Sequence, residues 1–405
     1  MKILLLCKKF PYPLKDGESI AIHNLSQALT AQGCQVSILA MNTKKHFFKG
    51  GHIPEEMNHY HQVETVEVDN RIKPIAAFGN LFSSESYHIS RFISSNFTIK
   101  LEKMLQQNSF DVVQLETLYL APYIPSIRKF SDAIVSMRAH NVEHEIWERI
   151  SSHTTNIMKR WYLRYLTEKL KRFEVACLNL YDLIIPITKR DLNRFQKMGC
   201  NTAAVVTPIG ISSKIQNQKK TQPNQSKKSI SFIGSLDWMP NVEGLDWFIK
   251  KVWPGIQAAY PDIELHIAGR NTPKHLIELN KPNIFVHGEV PESVPFINAH
   301  PMMVVPLLSG SGMRAKILEG MALGKIVLTT TIGLEGISAT NKEEVIVANT
   351  PDQFVDSLKF IFKSQQRQER IAAQAKTFVF NEYDNIEVGK RLYETYASQL
   401  LTEAV

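Results

Sequence analysis

The sequence predicts an α/β protein with two doubly wound domains, each built on a parallel sheet. Short apolar runs of strand length alternate with amphipathic stretches of helical period from the start of the chain. The same alternation begins again after a long polar interruption in the middle of the chain. Because 405 residues exceed what one ordinary hydrophobic core holds, two domains of about 200 residues each are expected.

The polar interruption is the clearest domain boundary. Residues 212–229, SSKIQNQKKTQPNQSKKS, are rich in Gln and Lys and almost free of apolar side chains, which is typical of a linker or an exposed insertion. We therefore predict a first domain over residues 1–211 and a second domain over residues 230–384.

The composition is that of a globular protein of the cytoplasm. Hydrophobic residues make up 44% and charged residues 21% of the chain, and no apolar run reaches membrane-spanning length. The four cysteines are scattered without metal-binding or C-x-x-C spacing, which favours reduced thiols. The net charge of +8 permits an anionic partner, but no nucleic-acid-binding motif is present, so we expect no nucleic acid among the partners.

In the first domain, the pattern predicts the elements of a doubly wound sheet. Strands are predicted at Ile3–Cys7, Val36–Ala40, Asp111–Glu116, Ala133–Arg138, Asp182–Pro186 and Ala204–Thr207. Helices are predicted at Ser19–Gln32, Ile89–Gln107 and Asn156–Val175. The loops that follow the strands share the carboxyl edge of the sheet, where α/β folds place their ligands.

A histidine-rich stretch, residues 43–74, follows the second strand. His46, His52, His59 and His61 lie close together in sequence, but no H-E-x-x-H or Cys/His pattern forms. We therefore expect no metal site here, and a solvated loop that contributes contacts to a ligand.

The second domain repeats the alternation of strands and helices. Strands are predicted at Ser231–Ile233, Glu264–Ala268, Ile284–Val286, Met302–Leu308 and Ile326–Thr331. Helices are predicted at Val242–Tyr260, after the glycines near residue 310, and over most of Leu358–Leu400.

The glycine-rich loop before the second of these helices has the features of an anion site. Ser309–Gly312 opens a helix, and such a helix start presents free amides and a positive dipole end. Arg314 and Lys316 add charges in the first turn, where the dipole disfavours cations unless an anion is bound. Glu319 follows at a distance suited to sugar hydroxyls. A solvated helix with ordinary surface charges is the alternative interpretation.

The segment Glu319–Gly324, EGMALG, resembles the donor-binding motif of the retaining glycosyltransferases of family 4. The resemblance implies the GT-B fold, with two Rossmann-like domains facing across a cleft, and a ribose-binding role for Glu319. That family has a further glutamate eight positions earlier, where this sequence has Ser311. The departure leaves the identity of the donor open.

The resemblance also assigns roles to residues of the first domain. The Asp16-Gly17 turn is similar to a glycine loop that the family places against the donor phosphates. His140, in the sequence His-Asn-Val-Glu, matches a histidine beside the donor sugar and is the candidate catalytic residue. The resemblance further implies that a C-terminal helix, roughly residues 385–405, returns to the first domain.

In the second domain, Gly288 and Val290 match a turn that the family places near the nucleotide base. Many members carry an Arg and a Lys in the loop that corresponds to Gly234–Asn241, and this sequence has neither there. We therefore expect Ser311, Gly312, Arg314 and Lys316 to hold the diphosphate in their place.

The predicted helix Asn156–Val175 combines Lys and Arg residues with Trp161, Tyr162 and Tyr165. A basic helix with aromatic side chains can lie on an anionic membrane surface. The alternative is a surface helix that packs by its aromatic side.

These features predict a retaining glycosyltransferase of the EC 2.4 class, which moves a sugar from a nucleotide-sugar donor to a sugar or lipid-linked acceptor in the synthesis of a surface polysaccharide, lipopolysaccharide or glycolipid. We expect no cofactor and no metal, because amides and fixed cations can stabilise a leaving diphosphate. A sugar-nucleotide epimerase and an inactive nucleotide-sugar-binding protein are the alternatives. A dinucleotide oxidoreductase is disfavoured, since no G-x-G-x-x-G follows the first strand.

Overall fold

The computed structural model describes residues 1–14, 16–44, 47–49, 53–73, 79–83, 85–213, 215, 228–310 and 312–403. The chain divides into two compact units, and the first unit is assembled from both ends of the chain. It contains Met1–Gly210 and Asn385–Val405, whereas the second unit contains Ile211–Asp384. Most of the polar stretch at 212–229 lies outside the described residues.

The first unit is built on a seven-stranded sheet with the order β3-β2-β1-β4-β5-β6-β7. All of its paired strands are parallel, so their carboxyl ends lie along one edge. In chain order the strands are β1 (Lys2–Cys7), β2 (Gln35–Thr43), β3 (Gln62–Val68), β4 (Val112–Leu115), β5 (Ile134–Ala139), β6 (Leu183–Pro186) and β7 (Ala203–Ala204).

Helices cover both faces of this sheet. They are α1 (Gly17–Ala31), α2 (Tyr87–Ser90), α3 (Ser95–Gln107), α4 (Ile124–Phe130), α5 (Glu143–His153), α6 (Ile157–Cys177), α7 (Lys189–Lys197) and, from the C-terminal end of the chain, a helix at Asn385–Glu403. Short 3₁₀ segments occur at Glu55–Met57, Asn80–Phe82 and Leu118–Tyr123.

The alternation of side chains along β1 supplies the cores of both faces. Leu4 and Leu6 belong to one buried cluster, and Ile3 and Leu5 belong to the other. The C-terminal helix packs against α1 and adds its apolar residues to the second cluster. The first unit therefore depends on the last residues of the chain for part of its core.

The second unit contains a six-stranded parallel sheet with the order β10-β9-β8-β11-β12-β13. Its strands are β8 (Ser229–Ile233), β9 (Glu264–Ala268), β10 (Ile284–Gly288), β11 (Met302–Val305), β12 (Ile326–Thr329) and β13 (Ile346–Val347). Its helices are α8 (Met239–Trp247), α9 (Trp253–Ala259), α10 (Lys274–Ile277), α11 (Ser293–Asn298), α12 (Ala315–Ala322), α13 (Pro351–Phe362) and α14 (Gln365–Glu382), and the C-terminal helix of the first unit is then α15.

Three segments differ from the sequence prediction. Residues 62–68 form the edge strand β3, although we expected a loop throughout residues 43–74. The predicted helix Ile89–Gln107 is interrupted, because Ser94 caps α3 by accepting a hydrogen bond from the Phe97 amide. The predicted helix Val242–Tyr260 is divided into α8 and α9 by a π-helical turn.

No helix in the described part of the chain has both the length and the apolar character required to cross a membrane.

Candidate functional site

The glycine loop of the second unit connects the carboxyl end of β11 to α12. Gly310 and Gly312 have φ of +102° and +80°, backbone conformations that residues with a Cβ rarely adopt. A Cβ on Gly310 would also lie 2.9 Å from Arg314 Nη2. The glycines therefore permit a tight approach of the loop to the arginine, and Ser311 between them lies outside the described residues.

Arg314 occupies the N-cap position of α12 and is buried. Its Nη1 donates a hydrogen bond of 2.6 Å to the Gly312 carbonyl, and its guanidinium carbon lies 5.5 Å from the Trp238 ring centroid. Stacking on an aromatic ring holds a guanidinium in one plane and leaves its edge for ligands. Trp238 belongs to the loop that follows β8, so two loops of the carboxyl edge fix this cation.

Lys316 lies in the first turn of α12, and its ammonium is enclosed by the first strand of the unit. Nζ donates to Asn241 Oδ1 at 2.8 Å and to the Ile233 carbonyl at 3.4 Å, and it lies 4.8 Å from the Phe232 ring centroid. Burial lowers the pKa of Lys316 to about 7, and Arg314 acts in the same direction. A bound anion would favour the charged form of this amine.

Glu319 lies one turn further along α12, on the same face as Lys316. Its Oε1 accepts a hydrogen bond of 2.7 Å from Ser293 Oγ, at the start of α11. Burial raises the pKa of Glu319, and the bond from Ser293 only partly offsets that effect. Oε2 makes no hydrogen bond to any described residue in the structure, so one carboxylate oxygen is available to a ligand hydroxyl.

Gly288 and Val290, the predicted base-region residues, precede Ser293 in the chain by five and three residues. Gly288 ends β10 with φ of +70°, and a Cβ at this position would meet no atom within 4 Å. The turn continues through Val290 to Ser293, which bonds Glu319. The Ser293–Glu319 hydrogen bond thus connects the segment that follows this turn to α12.

Arg270 and Ser293 were not among the residues predicted from the sequence. Arg270 follows β9, and its Nε donates a hydrogen bond of 2.7 Å to Ser235 Oγ in the loop after β8. It adds a further cation to the carboxyl edge that carries Arg314 and Lys316. The signal was its place directly after a strand, next to Gly269.

In the first unit, His140 follows β5 and contacts a carboxylate that follows the neighbouring strand β4. His140 Nε2 lies 3.0 Å from Glu116 Oε2. Glu116 and Arg138 are fully buried, and Arg138 Nη1 lies 3.7 Å from the same oxygen. The side chain of His140 is 11% exposed, and its Nδ1 makes no hydrogen bond to a described residue. Glu116 thus orients the ring and leaves Nδ1 for a substrate.

Gly17 is the first residue of α1, behind the N-cap Asp16, whose Oδ1 accepts a 3.0 Å hydrogen bond from the Ser19 amide. A Cβ at Gly17 would meet no atom within 4 Å. The helix start is therefore open to a ligand, at the same sheet edge as His140.

The basic helix α6 has two different halves. Ile157, Met158 and Trp161, in its first half, are exposed by 73%, 82% and 64%. In the second half, Lys169 is buried, and its Nζ donates hydrogen bonds of 2.5 Å to the carbonyls of residues 80 and 83. Lys169 therefore ties the second half of α6 to the domain, whereas the first half presents three large apolar side chains to solvent.

Among the residues that the structure describes, no group of three or more His, Cys, Asp and Glu side chains is arranged to hold a metal ion. His46 and His52 lie outside the described residues. His59 instead contacts the core of the first unit, where its Nε2 lies 2.7 Å from Ser26 Oγ.

Comparison with known families and structures adds to this geometry. Residues 227–364 match the family described as glycosyl transferases group 1. An uncharacterized 44.6 kDa protein in a cps region of Klebsiella pneumoniae is 23% identical over 408 residues, which cover 97% of this chain and 99% of the relative.

Several solved structures match almost the whole chain. Sucrose-phosphate synthase of Thermosynechococcus elongatus has a TM-score of 0.71 at 13% identity, covering 99% of this chain and 100% of its own. The HepE protein of Anabaena, solved in complex with UDP, has a TM-score of 0.67 at 13% identity, covering 98% and 100%. These likenesses show that the two parallel-sheet units form a GT-B fold.

Proposed function

We propose that the protein is a retaining glycosyltransferase that uses a nucleoside diphosphate sugar as donor, because residues 227–364 match the glycosyl transferases group 1 family. Transfer of a sugar is the activity of the family. The donor class is supported by the Anabaena structures, whose descriptions name UDP and UDP-glucose as ligands. The acceptor we propose is the hydroxyl of a sugar or of a lipid-linked sugar.

One observation carries the assignment of the donor site: the carboxyl edge of the second unit places two cations one turn before a buried carboxylate. Arg314, stacked on Trp238, and Lys316, beside Asn241, are suited to a diphosphate. Glu319, held by Ser293, is suited to the ribose hydroxyls. Gly288 and Val290 then lie on the side where the base would be bound.

The chemistry needs stabilisation of a leaving diphosphate. In the proposed reaction the bond between the sugar C1 and the β-phosphate oxygen breaks, and a bond from C1 to the acceptor oxygen forms on the same face. The acceptor proton passes to the departing phosphate. Fixed cations and amides that already point at the phosphates stabilise the developing charge without reorganisation, so we propose that no metal is required.

We propose that His140, in the first unit, contacts the sugar during the reaction. Nε2 is held by Glu116, so that Nδ1 can accept a hydrogen bond from a sugar hydroxyl. Gly17 adds an open helix start at the same edge. We assign no catalytic role to Ser311, which stands where the family has a glutamate.

We further propose a role in polysaccharide synthesis at the cytoplasmic face of a membrane. The Klebsiella pneumoniae relative, whose name places it in a cps region, supports this role. The exposed first half of α6 supports peripheral contact with an anionic membrane, since apolar and basic side chains are combined there.

The direct test is incubation of the protein with nucleoside diphosphate sugars labelled with ¹³C at C1 of the sugar, followed by NMR. Release of the nucleoside diphosphate with the sugar moved to an acceptor or to water, in the donor's anomeric configuration, is the expected result. Conversion of the donor sugar into an epimer that stays attached to the nucleotide would identify an epimerase. Binding without any turnover would identify an inactive binding protein, and inverted product would contradict the retaining assignment.

A further inference from the structure

A pocket of about 350 Å³ opens in the first unit, at the carboxyl ends of β1, β2 and β3. It is distinct from the donor site of the second unit, and it is at the lower end of the roughly 300–1,000 Å³ of small-molecule pockets. Its walls come from the residues after β1, the start of α1, the end of β2, the residues after β3 and the residues after α2. The pocket thus occupies the edge at which α/β domains bind ligands.

Positive charge dominates the walls. Lys8, Lys9, Arg71 and Arg91 line the pocket, and Glu18 is the one acidic residue among the described residues of its lining. Charges in a partly buried site are poorly screened by solvent, so a cation here that has no carboxylate partner favours an anion.

Ion pairs account for three of these cations. Lys8 Nζ lies 3.4 Å from Glu18 Oε2, and Lys9 Nζ lies 2.6 Å from Asp16 Oδ1. Arg71 Nε lies 2.8 Å from Asp69 Oδ1. These cations already have carboxylates as partners, and they are not the main determinants of an anion site.

Arg91 is different, since it pairs with no carboxylate among the described residues. Its Nη1 donates a hydrogen bond of 3.3 Å to the Asn70 carbonyl. Its Nε is buried and has no hydrogen-bond partner in the described part of the chain. The rings of Tyr87 and Phe92 lie 5.6 and 5.8 Å from the guanidinium carbon and fix its plane. A buried donor without a partner is costly, so an anion here would satisfy it.

Glu18 supplies a second point of recognition. Burial opposes its charged form, but Lys8 and Lys9 outweigh that effect, and the pKa of Glu18 lies below its usual value. Its Oε1 is buried and accepts no hydrogen bond from a described residue. An ionised carboxylate with one free oxygen suits a sugar hydroxyl.

We propose that this pocket binds an acceptor that carries an anionic group, a carboxylate or a phosphate, on a sugar-sized body. The inference rests on the proposed function and specifies its acceptor. Arg91 binds the anionic group through its planar fork of donors, and Glu18 accepts from a hydroxyl of the same sugar.

The test compares three small probes, glucose, glucuronate and glucose 6-phosphate, by ligand-observed NMR titration of the full-length protein. At least one of the two charged probes should bind at least about tenfold more tightly than glucose, as expected for a charge-assisted contact. A preference for glucuronate alone assigns a carboxylate to the acceptor, and a preference for glucose 6-phosphate alone assigns a phosphate. Equal affinity for all three probes would overturn the inference.

Variants of Arg91 test whether this residue causes the preference for charged probes over glucose. Arg91→Gln should abolish it, and Arg91→Lys, which keeps the charge without the fork, should retain only part of it. Arg172→Gln is the matched control, because Arg172 is an exposed arginine of the same unit, outside the pocket, paired with Glu168. A preference that survives Arg91→Gln would contradict the assignment.

One measurement needs no variant. Phenylglyoxal modifies arginines, and peptide mass spectrometry measures the extent of this modification at Arg91 in the wild-type protein. The preferred charged probe should protect Arg91 while glucose does not, and absence of protection would overturn the inference. Titration with uridine diphosphate separates the two proposals. If uridine diphosphate does not bind, the proposed donor site is contradicted. If the charged probes bind no better than glucose, the proposed acceptor pocket is contradicted.

Discussion

Residue-scale contacts link positions that the sequence does not connect. Glu116 and His140 are 24 positions apart, and Ser293 and Glu319 are 26 apart. The motif EGMALG singled out Glu319, and the end of a strand together with the family resemblance singled out His140. Their partners come from neighbouring strands and helices, and only the order of strands in the sheet brings them into contact. Arg91 was missed for the same reason, because no strand or motif marks it.

At this scale, His140 and Glu116 give a paired prediction. His140→Ala should lower turnover by roughly a hundredfold, the scale of a lost positioned side chain, with little change in melting temperature. Glu116→Gln should lower both turnover and melting temperature, because the buried Arg138 loses its charge partner. Steady-state kinetics and thermal unfolding check the pair, with the exposed His61→Ala as control. Full activity in His140→Ala would remove this histidine from the site.

Lys316 gives a prediction about proton uptake when a diphosphate binds. Its pKa of about 7 means that the amine is mostly neutral at pH 8 in the free protein. A bound diphosphate raises this pKa, so binding takes up close to one proton, and affinity falls as pH rises from 7 to 9. Calorimetry of uridine diphosphate binding at pH 8, in two buffers of different ionisation enthalpy, measures the uptake.

In this experiment Lys316→Gln should remove the proton uptake, whereas the exposed Lys251→Gln should keep it. The same lowered pKa also affects folding. The unfolded chain binds the proton more tightly between pH 7 and 10.5, so this residue makes the free protein less stable as pH falls through that range. Uptake that is unchanged in Lys316→Gln would show that the diphosphate does not reach this amine.

Elements were predicted well where apolar periodicity is strong. β1 and α1 lie within one or two residues of the predicted bounds, because their buried faces repeat with the period of a strand or a helix. The edge strand β3 was missed although QVETVEV alternates, since the histidines and prolines around it indicated a loop. The π-helical turn between α8 and α9 has no comparable sequence signal.

At the scale of elements, α6 gives a prediction about membranes. The protein should co-sediment with vesicles that contain anionic lipid, with about 1 kcal/mol from each basic residue near the surface. Added salt should weaken binding through screening. Met158→Ser combined with Trp161→Ala should reduce it, whereas Arg172→Gln, in the second half of α6, should have little effect.

Recovery that is equal with neutral vesicles, or absent with anionic ones, would contradict membrane docking by α6. The tethering of Lys169 to the carbonyls of residues 80 and 83 makes this test specific. It ties the second half of the helix to the domain, so the large exposed apolar side chains of the first half are the ones that we expect to contact a membrane.

At the scale of the whole molecule, the strand orders could not be read from the sequence. β1 lies between β2 and β4, and β8 lies between β9 and β11, an arrangement set by right-handed crossovers and by the packing of helices on both faces. The number of units could be predicted from length and from the repeated alternation. The central claim is that the second of these units binds a nucleoside diphosphate sugar, with Glu319 on the ribose.

The measurement that tests this claim most directly is calorimetric titration of the wild-type protein, Glu319→Ala and the exposed Glu278→Ala with a panel of nucleoside diphosphate sugars. At least one donor should bind the wild type and Glu278→Ala equally. Glu319→Ala should bind it at least about tenfold more weakly with an unchanged melting temperature, because charge-assisted hydrogen bonds to the ribose are lost. Equal affinity in all three proteins, or no binding of any donor to the wild type, would contradict the account.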